Sequence, residues 1–404
     1  MTEEDRPERL YLHIGLPKSG STYVQSVLGT NRGALKDQAY VYPFVRQEGM
    51  FHAAVEMAGS PERWGLEREE VEGTFEWLLR RGRRIGGTVV ISHEIFGWAD
   101  DDQIRRIKEL VEDFEVHVVI TVRDLARTLT AEWQERVKNG ATFTFEKYAA
   151  GILRHLPDGD VDEVDEADFW PSQNLMAHLG HWQALAPPER IHVVVTPPSG
   201  AAPDVLWGRF ADALGLDPAA VDLGEVPLRN ESLGIGQVAV LRHVLKALDG
   251  RLEQPWRSRV AKRWFAQTLL SRARSPRPVT PPEMAERLSV VARRWIDQVR
   301  SGGFAVHGDL SELLPVVGDE SARHPDAATD SDMLSGLPEV VAEMLLRTRD
   351  LLMANERLET ERGEALERES RLADEVSSLH EQLEFQRRWW PARVTARVRG
   401  KILD

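Results

Sequence analysis

The chain has 404 residues, 42% of them hydrophobic, which is enough for one large domain or two ordinary ones with a sizeable core. Acidic residues outnumber basic residues 65 to 51, and the resulting net charge of -14 excludes a general nucleic-acid binder, because the phosphate backbone would repel the chain. The lack of cysteine excludes disulfides, thiolate nucleophiles and thiolate zinc sites. The acidic start lacks the apolar core of a signal peptide and no apolar run approaches the ~20 residues of a membrane span, so we expect a cytoplasmic protein.

Residues 9–315 show the pattern of an α/β domain. Short apolar runs predict four buried strands, at 10–14, 88–92, 116–122 and 191–196. Helical spacing appears between these runs, at 22–28, 101–113 and 173–185. Strands that alternate with helices favour a parallel sheet with helices on both faces, in three layers. From 232 to 302 the pattern is entirely helical, so we predict an all-helical part within this domain.

Three segments follow the domain. Residues 316–336 are polar, acidic and without periodicity, which predicts a linker. Residues 337–386 carry an apolar residue at every seventh position, which predicts a coiled coil: Leu337, Met344, Leu351, Leu358, Ala365, Leu372 and Leu379. The second apolar position of the heptad is polar in the middle of the segment, where Asn355 favours a dimer in a defined register. The alternative is a single solvated helix.

The last segment, 387–404, is a basic tail. It begins Arg387-Arg388-Trp389-Trp390 and has six basic residues and no acidic residue before Asp404. Tryptophans beside arginines are typical of segments that contact a membrane surface or an acidic partner. The alternative is a solvated tail.

A glycine-containing loop, Gly15 to Thr22, joins the first predicted strand to the first predicted helix. Such a loop directs backbone N–H groups and the positive end of the helix dipole at a ligand, which makes an anion site. Gly15 and Gly20 are separated as in a nucleotide-binding P-loop, but Ser21 stands where that motif has lysine, and the lysine is Lys18. This difference opposes the interpretation as a nucleotide kinase.

The strand at 116–122 is followed by Arg123. An enzyme that binds Mg-ATP needs a carboxylate at this position or near it. An arginine there suits a second, metal-free phosphate, so we expect no metal. Further along, Arg257, Arg259, Lys262 and Arg263 form a basic face, either solvated or close to an anionic ligand.

The segment Leu16 to Thr22 resembles the donor loop of the PAPS-dependent sulfotransferases, and Val122 to Arg127 resembles the second phosphate motif of that family. Sulfotransferase-like proteins of actinobacteria share runs similar to 123–127 and 131–135. The resemblance covers about residues 9–314 and implies a P-loop-type fold. It also implies that the 5′-phosphosulfate of PAPS is held by Pro17, Lys18, Ser19, Gly20, Ser21 and Thr22.

The resemblance further implies that Arg123 holds the 3′-phosphate of PAPS. The family motif has a serine eight positions after this arginine, where this chain has Ala131. Thr128 lies one helical turn earlier on the same face, and Thr130 is adjacent. We expect Thr128 or Thr130 to supply the missing hydroxyl.

A general base is needed to take the proton of the acceptor. Ser92-His93-Glu94 ends the strand at 88–92, at the edge of a parallel sheet where ligands bind. Members of the family use a histidine or a glutamate near such a strand end, so His93 and Glu94 both match; His93 is preferred, and His52 competes. Lys18 is expected to neutralise charge on the leaving group.

The function predicted from these motifs is transfer of a sulfuryl group from PAPS, as co-substrate, to a hydroxyl or amine of a small molecule, glycan or natural product. A homodimer through the coiled coil and a peripheral membrane contact through the basic tail are the expected partners, without nucleic acid. The alternative is a catalytically silent scaffold with a sulfotransferase fold that acts through its coiled coil.

Overall fold

A computed structural model describes residues 8–44, 46, 48–157, 169–224, 226, 232–316 and 323–399 of the chain. The chain divides into two compact units, Met1–Leu337 and Pro338–Asp404. The first unit contains every strand of the described residues, and the described residues of the second form one long helix.

The first unit is an α/β fold with a six-stranded parallel sheet. Its strands are β1 (Glu8–His13), β2 (Tyr40–Val41), β3 (Thr88–Ser92), β4 (Phe114–Val122), β5 (Ile191–Val195) and β6 (Ala305–His307). The spatial order is β2-β3-β1-β4-β5-β6, and each neighbouring pair is parallel. The four predicted strands are confirmed, within two residues at their ends. β2 and β6 were not predicted, because two or three residues are too few to show a period.

The described residues form fifteen α-helices. They are α1 (Ser21–Thr30), α2 (Arg32–Asp37), α3 (Gly49–Ala58), α4 (Arg68–Val71), α5 (Thr74–Ile85), α6 (Asp101–Leu110), α7 (Leu125–Lys138), α8 (Phe145–Arg154), α9 (Phe169–Gln173), α10 (Leu175–Trp182), α11 (Pro203–Leu214), α12 (Ile235–Leu248), α13 (Pro282–Ser301), α14 (Asp330–Leu334) and α15 (Leu337–Arg399). A π-helix spans Arg257–Leu269, and the 3-10 helices are Pro61–Trp64, Glu94–Trp98, Pro188–Arg190, Pro218–Ala220, Leu270–Arg272 and Leu310–Leu313.

The central strands are buried on both faces. Leu10, Tyr11 and Leu12 follow one another in β1, and all three are buried, although they point alternately to opposite sides of the sheet. Helices therefore cover both sides, which is why these strands show continuous apolar runs rather than an alternating pattern. On one side, Tyr11 and other sheet residues pack with Val24 of α1 and Phe210 of α11 in a single core cluster.

The strand order places a crevice at the carboxyl end of β1. This strand lies between β3 and β4, so the chain departs from β1 towards one edge of the sheet and later crosses to the other side. Ligands of open parallel sheets bind at such a point, outside the carboxyl ends of the strands. The residues that follow β1, β3 and β4 are therefore brought together at one edge of the sheet.

The prediction of a linker at 316–336 is wrong for residues 323–336, which belong to the first unit. Asp326 accepts hydrogen bonds from the backbone N–H groups of Phe145 and Glu146 and pairs with Arg242 at 3.3 Å. Thr329 begins α14 with a capping box. The polar residues that suggested a linker thus form helix caps and ion pairs. Residues 317–322 of the segment lie outside the described residues.

The second unit is the helix α15, which extends without interruption from Leu337 to Arg399. The boundary that we expected at residue 387, between the coiled coil and the basic tail, is therefore not the end of the helix. The side chains of residues 389–404, which include most of the basic tail, lie outside the described residues. Among the helices that the structure describes, none is both long and apolar enough to cross a membrane.

Candidate functional site

The loop between β1 and α1 follows a tight path that its glycines permit. Gly15 and Gly20 have φ angles of 110° and 97°, and Lys18 also lies at a positive φ of 62°. A Cβ atom on Gly20 would lie 2.5 Å from Cδ2 of Leu206, so this position is restricted to glycine by conformation and by space. Gln173 donates a hydrogen bond to the carbonyl oxygen of Pro17 at 3.2 Å, which fixes the tip of the loop.

For the backbone N–H groups of Lys18, Gly20, Ser21 and Thr22, no hydrogen-bond acceptor is found within the described part of the chain. Gly20 is the N-cap of α1 and has no side chain to cap the helix, so Ser21 and Thr22 leave their N–H groups free. Free N–H groups at the positive end of a helix are a common setting for anion binding. The anion site that the sequence predicts for this loop stays a prediction.

A network of buried polar side chains supports the loop from below. The Ser19 hydroxyl donates to the carbonyl oxygen of Leu16 and lies 2.6 Å from Oγ1 of Thr121. His13 links this network to β3, with its ring nitrogens 3.1 Å from Oγ1 of Thr121 and 2.7 Å from Oγ of Ser92. Burial lowers the pKa of His13 to about 4, so the ring is neutral at pH 7. The Ser19 side chain is thus buried and bonded within the loop and to β4.

Lys18 is held by an acidic residue of α7. Its Nζ lies 3.0 Å from Oε2 of Glu135, and Nζ of Lys262 lies 2.6 Å from Oε1 of the same carboxylate. Lys138 approaches Glu135 at 4.0 Å. Burial raises the pKa of Glu135, but Lys18 and Lys262 outweigh it and lower the pKa to about 2. We call these three lysines and Glu135 the lysine cluster.

Glu132 lies one turn before Glu135 on α7. Burial raises its pKa, and the charges of Lys18, Arg136 and Arg123 act in the opposite direction. Its carboxyl group therefore lies close enough to interact electrostatically with both predicted anion-binding side chains, Lys18 and Arg123. Neither Glu132 nor Glu135 was predicted as a site residue.

Arg123 at the end of β4 opens onto a cavity of about 380 Å³. Its Nε is buried without a hydrogen-bond partner, while its Nη2 donates to the carbonyl oxygen of Arg127 at 2.9 Å. Burial and the neighbouring Arg127 lower the pKa of Arg123 to about 10, so the guanidinium stays charged. Among the polar residues that line the cavity are Arg123, Arg127, Arg277, Thr130, Ser199 and Ser232. A guanidinium in the lining of a cavity suits an anionic group there, although Nε of Arg123 itself has almost no accessible surface and would have to turn towards it.

The structure does not bring Thr128 to the cavity. Its hydroxyl is buried and donates to the carbonyl oxygen of Asp124 at 2.9 Å, one helical turn back. Thr130 lines the cavity, although its hydroxyl lies 2.6 Å from that of Thr280. Ala131 also lines the cavity, with no hydroxyl to offer. The expected substitute for the family serine is therefore Thr130 rather than Thr128.

His93 and Glu94 lie beside the loop, but they have different tasks. Nδ1 of His93 accepts the backbone N–H of Ile95 at 3.2 Å and so caps the 3-10 helix Glu94–Trp98. Burial lowers the pKa of His93, and in the neutral ring the proton is then on Nε2. A ring in this tautomer has no free lone pair with which to take a proton. The preference for His93 as the base is therefore not supported by its hydrogen bonding.

Of the two candidates for a base, Glu94 has the carboxylate that is free to accept a proton. Glu94 lies directly beside the loop, because a Cβ atom added to Gly15 would lie 3.1 Å from the Cβ of Glu94. Gln25 donates a hydrogen bond to Oε2 of Glu94 at 3.1 Å. Burial raises the pKa of Glu94, but His93, a backbone N–H, Gln25 and Lys18 outweigh it and lower the pKa. The side chain is thus an ionised carboxylate at neutral pH, close to the lysine of the loop.

Two further candidates have clear positions. His52 is separated from His93 by the ring of Phe51, whose centroid lies 5.6 Å from each of the two histidine rings. Lys262 does not belong to a solvated face, since it is paired with Glu135 and also donates to Asn139 at 2.8 Å. Glu132 and Glu135 lie on α7, the helix that follows Arg123, and they are one helical turn apart, so they share a helix face. This spacing is the sequence signal that would have pointed to both residues.

In comparisons with known proteins, no family model, no curated protein and no solved structure matches this chain.

Proposed function

We propose that the chain is a sulfotransferase that moves a sulfuryl group from PAPS to a hydroxyl or amine acceptor. The observation that carries this proposal is the pair of unsatisfied donor sets at one edge of the sheet. At the end of β1, no acceptor is found among the described residues for the N–H groups of Lys18, Gly20, Ser21 and Thr22. At the end of the adjacent β4, Arg123 lines the cavity, and its Nε has no hydrogen-bond partner. Two separate anion sites suit a donor with two separate anionic groups.

In this proposal the loop is of the P-loop type and holds the 5′-phosphosulfate, and Arg123 holds the 3′-phosphate. Asp124 follows Arg123 in the chain, and in a nucleotide kinase such a carboxylate would be available to a magnesium ion. Here it caps α7 through the backbone N–H of Arg127 at 2.9 Å and also pairs with the Arg127 guanidinium. This arrangement favours a donor recognised by arginine rather than Mg-ATP.

The reaction is an in-line displacement at sulfur. The acceptor oxygen or nitrogen forms a bond to sulfur, the bond from sulfur to the bridging oxygen of the 5′-phosphate breaks, and the acceptor loses a proton. Lys18 neutralises the charge that develops on the bridging oxygen, and the loop N–H groups stabilise the phosphosulfate oxygens. Glu94 takes the proton, with Gln25 orienting its carboxylate.

Equilibrium binding of adenosine 3′,5′-bisphosphate tests the proposal, with adenosine 5′-monophosphate and Mg-ATP as comparison ligands. We expect the bisphosphate to bind most tightly. Because a charge-assisted hydrogen bond contributes about 1.5–3 kcal/mol, Arg123→Met should weaken the bisphosphate roughly 10- to 100-fold and leave the monophosphate nearly unchanged.

Arg105→Met is the matched control, because Arg105 is an exposed arginine of α6 that pairs with Asp102. It should leave the binding of all three ligands unchanged. Stabilisation by Mg-ATP alone would overturn the proposal, and binding of none of the ligands would favour the silent scaffold. Transfer of labelled sulfate from PAPS into a cell extract would then identify the acceptor.

We also propose that α15 forms a parallel coiled-coil homodimer. Its heptad leucines are exposed, for example Leu358 and Leu372 at 62% and 61%. In a parallel dimer in register, Arg362 would face the partner's Glu361, and Glu369 would face the partner's Arg368. Each of these two charged residues thus has an opposite charge beside it, which favours this register.

The molar mass of the full chain in solution tests the dimer. We expect Leu358→Glu combined with Leu372→Glu to produce a monomer, since charges would replace two apolar layers. Met353→Glu is the matched control, because Met353 is as exposed but lies on the outer side of the heptad. A wild-type chain that is monomeric at tens of micromolar would contradict the proposal.

A further inference from the structure

One part of the first unit is basic, although the chain as a whole has a net charge of -14. Between residues 250 and 282 the sequence has eight basic residues and a single acidic residue, Glu253. This stretch contains the π-helix Arg257–Leu269, whose buried residues include Phe265 and Leu269. The helix therefore has an apolar side turned to the core and a basic side turned to water.

Four exposed residues lie together at the start of this helix: Trp256, Arg259, Val260 and Arg263. Trp256 and Val260 are 57% and 37% exposed, and both arginines are exposed as well. Trp256 and Val260 are four positions apart, as are the two arginines, so each pair lies side by side on the helix surface. The guanidinium of Arg259 also lies over the ring of Trp256, 5.5 Å from its centroid. We call these four residues the Trp256 face.

The two arginines of the Trp256 face are available to an anion. In the part of the chain that the structure describes, neither guanidinium is paired with a carboxylate. The contact of Arg259 with Trp256 orders the side chain but leaves its charge unneutralised, because an aromatic ring carries no net charge. Lys262 on the same helix differs, since its charge is paired with Glu135 in the lysine cluster. The face thus combines two unpaired positive charges with two exposed apolar side chains.

This combination indicates the kind of partner. Arginine is well suited to phosphate groups, and tryptophan is enriched where an apolar phase meets water. A hydrated anionic polymer would bind the arginines, but it would offer Val260 nothing apolar to pack against. A bilayer with anionic lipids offers both, because phosphate groups lie at its surface and hydrocarbon lies just beneath them. Each basic residue close to such a surface strengthens binding roughly fivefold.

We propose that the Trp256 face docks the first unit on an anionic lipid surface. Trp256 and Val260 insert between the headgroups, and Arg259 and Arg263 bind lipid phosphates. The acidic residues elsewhere in the chain oppose this contact only weakly, because physiological salt screens charges that are more than about 8 Å apart. The face consists of residues other than those of the basic tail, and the contact does not depend on the proposed reaction.

A fluorescent label within the face tests the proposal on the full-length protein. The chain has no cysteine, so Val260→Cys provides a single site for an environment-sensitive dye. We expect the dye emission to shift to shorter wavelength on vesicles that contain phosphatidylglycerol, and to stay unchanged on phosphatidylcholine alone. Val290→Cys is the matched control, because Val290 is a 46% exposed valine of α13 outside the face, and its label should not shift. The readout is local, so binding through the basic tail alone would not produce it.

Arg259→Gln combined with Arg263→Gln, in the chain labelled at residue 260, should raise the lipid concentration needed for the shift by about 30-fold. Arg105→Gln combined with Arg349→Gln is the control, because it removes the same charge from two exposed arginines outside the face and should leave this concentration nearly unchanged. A label at residue 260 that does not shift on anionic vesicles would overturn the proposal, even if the face bound heparin, a soluble polyanion. An equal lipid requirement with and without the two arginines would overturn it as well.

Discussion

The lysine cluster provides a quantitative prediction, because Glu135 is one carboxylate shared by three lysines. Its pKa is lowered from 4.5 to about 2, and its side chain is only 22% exposed. Since one pKa unit corresponds to about 1.4 kcal/mol, ionised Glu135 contributes on the order of 3 kcal/mol to the free energy of unfolding at neutral pH. Glu135→Gln should therefore lower the stability of the first unit by about this amount, and Lys138, buried beside it, would lose its counter-charge.

The pH dependence of this effect has a definite sign. The carboxyl pKa is lower in the folded than in the unfolded protein, so the contribution is complete above pH 4.5 and is lost as the pH falls towards 2. Thermal unfolding followed by near-ultraviolet circular dichroism at several pH values measures it. We expect the variant to melt several degrees below the wild type at pH 7, and the difference to shrink steadily below pH 4.5.

Glu112→Gln is the matched control, because Glu112 is an exposed carboxylate of the same unit. It should change the melting temperature little at any of these pH values. Equal melting temperatures for Glu135→Gln and the wild type at pH 7 would refute the reasoning. A difference that persists unchanged at pH 2.5 would refute it as well, because the effect would then not arise from the charge.

Further predictions concern the candidate site. His93→Asn should keep near-normal turnover in labelled-sulfate transfer, because asparagine can cap the following 3-10 helix. Glu94→Gln should lose at least about 100-fold in the same assay. The opposite result, a large loss only in His93→Asn, would restore His93 as the base. Gly20→Ala should abolish binding of adenosine 3′,5′-bisphosphate and lower the melting temperature, because the Cβ meets Leu206 and the backbone lies at positive φ; unchanged binding would argue against the loop as the anion site. Thr128→Val should leave the affinity for the bisphosphate unchanged, since its hydroxyl is bonded within α7, and calorimetry would detect a loss.

The sequence was sufficient to predict four of the six strands. Mostly apolar runs predicted β1, β3, β4 and β5, because strands covered on both faces bury side chains on both sides of the sheet. The strand order was not predictable, since the pairing of β1 with β3 and β4 depends on how distant segments pack. The segment at 323–336 was misassigned because its partners lie far away in the chain, as the bonds of Asp326 to Phe145 and Arg242 show.

The same division holds for the candidate site. Gly15, Gly20, Lys18 and Arg123 could be named as candidates from the sequence alone, because a loop suited to an anion has glycines and backbone donors at fixed spacing. Their part in binding an anion stays a prediction. What each side chain faces was decided only by tertiary packing. The hydroxyl of Ser19 is turned inward, the ring of His93 is used as a cap, and Lys18 is paired with Glu135, since each group bonds the nearest partner that the folded chain provides.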